Sequence, residues 1–96
     1  MIVRQKGAWR FLHISFADPV DPKVVQSAFD KANDWMRYTA NCWIVYTNSE
    51  PEKWFTRIRE VLPEPKTQGF LILEVDVTER HGQLQEWIWE WIHKDR

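Results

Sequence analysis

Residues 10–16 read Arg-Phe-Leu-His-Ile-Ser-Phe, and this stretch decides the fold of the chain. Because the apolar residues alternate with others, an extended backbone places Leu12, Ile14 and Phe16 on one side. The other side carries Phe11, His13 and Ser15. The pattern predicts a half-buried β-strand against which the following segments pack.

A helix is predicted directly after this strand. Asp21 followed by Pro22 is a typical N-cap with proline at the first helical position. Apolar residues at helical spacing then form one stripe, made of Val25, Ala28, Phe29 and Ala32. The helix is expected to end near Asn33 and Asp34.

The middle of the chain predicts a hairpin and a second helix. Aromatic and β-branched residues favour strands over residues 35–39 and 42–47, with a tight turn between them. Ser49-Glu50-Pro51-Glu52 matches a capping box, in which the serine side chain would cap the next helix. The predicted buried face of that helix consists of Trp54, Phe55, Ile58, Val61 and Leu62.

Residues 70–77 alternate and predict a fourth strand. We expect its inward side to carry Leu71, Leu73, Val75 and Val77. We expect its other side to carry Phe70, Ile72, Glu74 and Asp76.

The last element is an amphipathic helix predicted over residues 83–94, a segment with three tryptophans in five positions. Its apolar stripe is formed by Leu84, Trp87, Ile88, Trp91 and Ile92. Trp89 falls outside this stripe among polar residues. A large aromatic side chain in such a position requires a partner, within the chain or on another molecule.

The order of elements predicts an α+β fold, a ferredoxin-like βαββαβ sandwich followed by the C-terminal helix. Residues 1–96 would form a single domain, with a basic arm over 1–9 and the core over 10–77. Two helices on one face leave the other face of the sheet bare. We expect that face to form an interface, with candidate residues Phe11, Trp43, Phe70, Ile72 and Trp89.

Composition limits the classes of function and the cellular locations that fit this chain. The formal net charge of −1 lacks the basic excess typical of proteins that bind a phosphate backbone. The single cysteine, Cys42, excludes an internal disulfide, and no signal peptide or membrane span is apparent. We therefore expect a cytoplasmic protein with no membrane partner. The scattered histidines and single glycines predict no metal site and no cofactor.

Several segments together resemble the SinR-like proteins, small prokaryotic ferredoxin-fold proteins distinct from the helix-turn-helix repressor of that name. The resemblance rests on a Trp-x-x-Tyr segment, a Trp-aliphatic-aliphatic-x-Thr strand and a glycine-started helix with a Trp-acidic-Trp core. In this chain these positions are Trp35 and Tyr38, Trp43 and Thr47, and Trp89, Glu90 and Trp91. Such proteins are similar to the CRISPR-adaptation scaffold nucleases and to VapD-type toxins.

The resemblance implies a possible nuclease site at the end of the first strand. The related nucleases carry an aspartate directly after an aromatic residue, and two subunits together hold a divalent metal. Here Ala17 follows Phe16, and Asp18 comes one position later. Because a shift of one strand position points a side chain to the opposite face, we expect no catalysis. A metal-dependent endonuclease that uses Asp18 with Mg or Mn is the alternative.

A second alternative is binding of single-stranded nucleic acid, since ferredoxin-like sheets can stack bases on exposed aromatic residues, here Phe11, Trp43 and Phe70. The basic candidates for this role are Arg4, Lys6, Arg10 and Arg37. The acidic Glu74 and Asp76 on the same sheet count against it. The leading prediction is therefore a non-catalytic homodimer or protein-interaction module.

Overall fold

The computed structural model describes residues 8–78 and 80–96. Its elements, in chain order, are β1 (Arg10–Phe16), α1 (Pro22–Phe29), β2 (Asp34–Thr39), β3 (Cys42–Thr47), α2 (Pro51–Val61), β4 (Phe70–Val75) and α3 (Glu86–His93). The order matches the one predicted from sequence. Most of the predicted basic arm, residues 1–7, lies outside the described residues.

The four strands form one antiparallel sheet in the order β2-β3-β1-β4. This is the strand order of a ferredoxin-like sandwich and confirms the predicted α+β fold. β1 and β3 are central, and β2 and β4 are the two edges. We call the face covered by α1 and α2 the first face and the opposite face the second face.

The hydrophobic core lies between the first face and the two helices. Leu12, Ile14 and Phe16 of β1 are at most 2% exposed, as the alternation predicted. They meet a set of buried residues from the other elements, namely Val25, Phe29, Trp43, Val45, Trp54, Ile58 and Leu62. Burial of this many large apolar side chains accounts for the close packing of the helices on the sheet.

The N-terminal ends of α1 and α2 are capped differently. At α1 the backbone N–H of Lys23 donates to Asp21 Oδ1 at 3.0 Å, so the predicted cap is confirmed. At α2 the predicted capping box is wrong, because the N-cap residue is Glu50 and no side chain caps it. The backbone N–H of Ser49 instead donates to Thr47 Oγ1 at 3.1 Å. This bond holds the backbone at Ser49, the residue before the N-cap.

The predicted facing of β4 is also wrong. In antiparallel pairing Phe70 lies opposite Phe16 and Ile72 lies opposite Ile14. Directly opposed residues point to the same face, so Phe70 and Ile72 lie on the first face against the core. Leu71 and Leu73 therefore point to the second face, where they are 56% and 49% exposed. The strand ends at Val75, two residues earlier than predicted.

The C-terminal helix α3 lies over part of the second face and is shorter than predicted. Ile88 is its buried residue at 3% exposure. Trp91 packs edge-on against Phe11, with 6.0 Å between ring centroids. Among the strands, α3 contacts β2 most extensively. Over residues 8–78 and 80–96, no helix is both long and apolar enough to cross a membrane.

Candidate interaction surface

The second face consists of rows of residues that run across the sheet from β2 to β4. The first row contains Asp34, Tyr46, Phe11 and Val75. The second row contains Met36, Ile44, His13 and Leu73. The third row contains Thr39, Cys42, Ser15 and Leu71. The extent to which α3 covers these rows decides which part of the face is open.

Cover by α3 is unequal across the sheet. Met36 on β2 is 4% exposed, and Ile88 and Ile92 of α3 line a shared groove with it and with His13. On β4, Leu71 and Leu73 are about half exposed. The β2 side of the second face is therefore closed, and the β4 side is open.

A third apolar side chain extends the open region around the β4 edge. Phe55 of α2, which was predicted to be buried, is 45% exposed. Its ring lies 5.4 Å from that of Phe70, on the first-face side of β4. We call Phe55, Leu71 and Leu73 the β4 strip. Alternation within residues 70–77 did not predict the exposure of Leu71 and Leu73, because both sides of this strand begin with large apolar residues.

A polar cluster lies on the second face beside the strip. His13 Nε2 shares a hydrogen bond with the hydroxyl of Tyr38, and Cys42 Sγ lies 3.8 Å from Ser15 Oγ. Burial, with smaller contributions from Cys42, raises the pKa of Tyr38 to about 12. Burial lowers the pKa of His13 below its ordinary value. Near neutral pH both groups are therefore uncharged, which suits a packed polar cluster better than acid–base chemistry at the surface.

The predicted interface residues separate onto the two faces. Trp43 is 1% exposed and stacks on Phe29 of α1 at 4.9 Å, so it belongs to the core and is closed to a partner. Phe70 and Ile72 also lie on the first face. Phe11 is on the second face, packed against Tyr46 and Trp91.

Trp89 has a partner within the described chain. A Cβ atom placed on Gly82 would lie 3.5 Å from two ring carbons of Trp89, so Gly82 lies close beside this ring. Trp87, which was predicted to lie on the buried stripe, is 45% exposed instead. The tryptophan outside the predicted stripe is thus partly buried, and one inside that stripe faces solvent.

The basic candidates for nucleic-acid binding are not gathered on one surface. The side chain of Arg10 is 4% exposed and lies 3.4 Å from Glu74 in an ion pair. Arg37 lies over the ring of Trp43 at 5.1 Å and donates to the carbonyl of Ala40. Arg4 and Lys6 lie outside the described residues.

The aromatic residues considered for base stacking are also separated. Phe11 lies on the second face, Phe70 lies on the first face, and Trp43 is in the core. These three rings therefore do not form the continuous platform that stacking of successive bases requires.

Asp18, the candidate for metal-dependent cleavage, is exposed in the bend after β1. In the part of the chain that the structure describes, no three His, Cys, Asp or Glu residues are grouped to hold a metal ion.

Comparison of the chain with protein-family models, with curated proteins and with solved structures finds no match. The relationship to SinR-like proteins stays a prediction from the sequence motifs.

Proposed function

We propose that this chain is a protein-interaction module that forms a homodimer through the edge of β4. The observation that carries the proposal is the half exposure of Leu71 and Leu73 on an edge strand. Two neighbouring leucines on the same side of an edge strand form an apolar surface that favours association. Catalysis forms no part of the proposed function.

The edge of β4 lacks the features that normally prevent strand pairing. Its pairing with β1 is regular from Phe11 opposite Val75 to Phe16 opposite Phe70, with no bulge. It contains no proline or lysine, and its one charged residue, Glu74, pairs with Arg10 on the first face. Protective charges, prolines and bulges are common on edge strands that stay unpaired.

A second copy of the chain is the partner that this edge fits. If two β4 strands paired antiparallel about a two-fold axis at Ile72, Leu71 of one copy would face Leu73 of the other. Such a contact is self-complementary, as two-fold interfaces must be. Phe55, on the first-face side of the same edge, would add apolar area to the contact. Directly opposed apolar pairs across strands stabilise the pairing.

Sedimentation velocity at micromolar concentration tests this proposal. Leu73→Lys puts a charge at the centre of the proposed interface, and we expect it to convert a dimer into a monomer. Thr39→Lys on the β2 edge is the matched control and should leave the dimer intact. A monomeric wild type, or a dimer that persists in Leu73→Lys, would reject the proposal.

Trp89→Ala separates this interface from the one predicted from sequence. Because Trp89 contacts the chain's own Gly82 segment, we expect the variant to stay dimeric. Loss of the dimer in Trp89→Ala with no effect of Leu73→Lys would move the interface to the C-terminal helix.

A further inference from the structure

The side chain of Arg96 is held by aromatic rings in the first row of the second face. Its guanidinium carbon lies 4.3 Å from the ring centroid of Trp91, 5.2 Å from that of Tyr46 and 5.4 Å from that of Phe11. All three distances are within the range of about 6 Å for a favourable cation–π contact. Three rings from three different elements thus surround one cation.

Oxygen atoms complete the surroundings of this guanidinium. Arg96 Nη2 donates to Asp34 Oδ2 at 3.0 Å, and Nη1 donates to the carbonyl oxygens of Trp91 at 2.9 Å and Lys94 at 3.2 Å. The Arg96 side chain is 9% exposed. A guanidinium with three oxygen acceptors and three rings within cation–π distance has its hydrogen-bonding and electrostatic needs well met.

The carboxylate that faces the guanidinium is stabilised in its charged form. Burial acts to raise the pKa of Asp34, but Trp91, Lys94 and Arg96 outweigh it and lower the pKa. The indole N–H of Trp91 is buried near Asp34 without a hydrogen bond of normal geometry. Asp34 is therefore an anion at neutral pH, matched to a cationic group.

The scaffold positions the walls of this pocket independently of Arg96. Phe11, Tyr46 and Asp34 are direct neighbours across β1, β3 and β2. Trp91 comes from α3, and Trp9 stacks on Tyr46 at 5.1 Å to extend the wall. Arg96 lies three residues beyond the end of α3. We call Phe11, Tyr46, Trp91 and Asp34 the guanidinium cage.

We propose that the guanidinium cage is a binding site for an arginine side chain, which Arg96 occupies within the chain. The fork of hydrogen bonds and the ring contacts select a planar guanidinium over an ammonium group. Lys94 illustrates the difference, since it reaches the same Asp34 at 3.3 Å while its side chain stays 60% exposed. An arginine of a partner peptide would have to displace Arg96, which is present at a high effective concentration.

Titration of Arg96→Ala with N-acetylarginine amide tests the proposal, with indole NMR signals and tryptophan fluorescence as readouts. We expect saturable binding, at least about tenfold tighter than to the wild type, whose cage is filled. N-acetyllysine amide is the matched cation control and should bind at least about tenfold more weakly. Adding Asp34→Asn to Arg96→Ala should remove the binding. Absence of binding, equal binding of both amides, or equal binding to the wild type would overturn the proposal.

The wild type supplies a test that does not depend on the folding of a variant. With isotope-labelled arginine, the Arg96 side-chain protons should be shifted upfield by the surrounding rings. Asp34→Asn should move these signals toward the values of a free arginine. Unshifted Arg96 signals in the wild type would contradict the occupied cage. Because the cage contains no residue of β4, Leu73→Lys should leave these results unchanged, which separates them from the test of dimer formation through β4.

Discussion

The two edge strands, β2 and β4, differ in how well they are protected against pairing with another strand. β2 is covered by α3, its register with β3 shifts between Arg37 and Thr39, and its Asp34 binds Lys94 and Arg96. β4 pairs regularly with β1 and exposes Leu71 and Leu73. A bulge, charges and a covering helix are the usual ways of preventing strand addition. The difference indicates that β2 is closed to a partner and that β4 is the edge available for one.

The largest effect should come from weakening the cover over the β2 side. Ile88→Ala removes the buried anchor of α3, and we expect a loss of about 2–5 kcal/mol in the free energy of unfolding. Trp87→Ala, at a position of the same helix that is 45% exposed, should cost clearly less than Ile88→Ala. Urea unfolding measures both, in the Leu73→Lys background that is expected to be monomeric. Similar losses for the two variants would mean that α3 does not cover the sheet as described.

A smaller effect is expected from the charged group on β2. Asp34→Ala removes the ion pairs with Lys94 and Arg96. Because the Asp34 carboxylate is partly exposed, we expect the free energy of unfolding to fall by only about 0.5–1 kcal/mol. The loss should shrink at high salt. Because the folded-state pKa is lowered, the stabilisation by Asp34 is full above its ordinary pKa of 3.8 and disappears as the pH falls through the folded-state pKa. Urea unfolding of the wild type and of Asp34→Ala at a series of pH values measures this. The same loss of stability in acid for both proteins would contradict the expectation.

His13 lies on β1, between the closed β2 side and the open β4 side, and we expect it to give a different pH dependence. Burial lowers its folded-state pKa, so below the ordinary value of 6.5 the unfolded chain binds the proton more readily. The free energy of unfolding should therefore decrease as the pH falls below 6.5 and level off below the folded-state pKa. In His13→Gln this decrease should be absent. An identical profile in the two proteins between pH 7.5 and 5 would show that His13 is not buried as described.

The smallest effect on the isolated domain should come from the open edge itself. Because Leu73 is half exposed, Leu73→Lys should change the stability of the monomer by less than about 0.5 kcal/mol. Its urea midpoint should also be independent of protein concentration, whereas the midpoint of the wild type should rise with concentration under the proposed dimerisation. A wild-type urea midpoint that does not depend on protein concentration would contradict the proposed difference in function between the two edges.

Local patterns in the sequence were sufficient to predict the order of the elements and the buried residues of β1. They also located the cap at Asp21, since a side chain that bonds two residues away needs no distant contact. The facing of β4 could not be predicted in the same way. Both of its alternating sets begin with large apolar residues, and only pairing with Phe16 and Ile14 decides which set is buried.

The candidate sites depended still more on distant contacts. The guanidinium cage joins Asp34 to Arg96, 62 positions apart in the chain. No spacing motif contains such a pair. Phe11 was singled out from sequence as an exposed aromatic, but its partners Tyr46, Trp91 and Arg96 become apparent only in the folded chain.

Hydrogen exchange of the backbone amides, measured in the wild type below and above micromolar concentration, tests the difference between the edges most directly. We predict that β4 amides facing away from β1 become protected as concentration rises, because they pair with a second copy. The amides of β2 should exchange at the same rate throughout. Fast exchange of the β4 edge at every concentration, or new protection on β2 instead, would contradict the account.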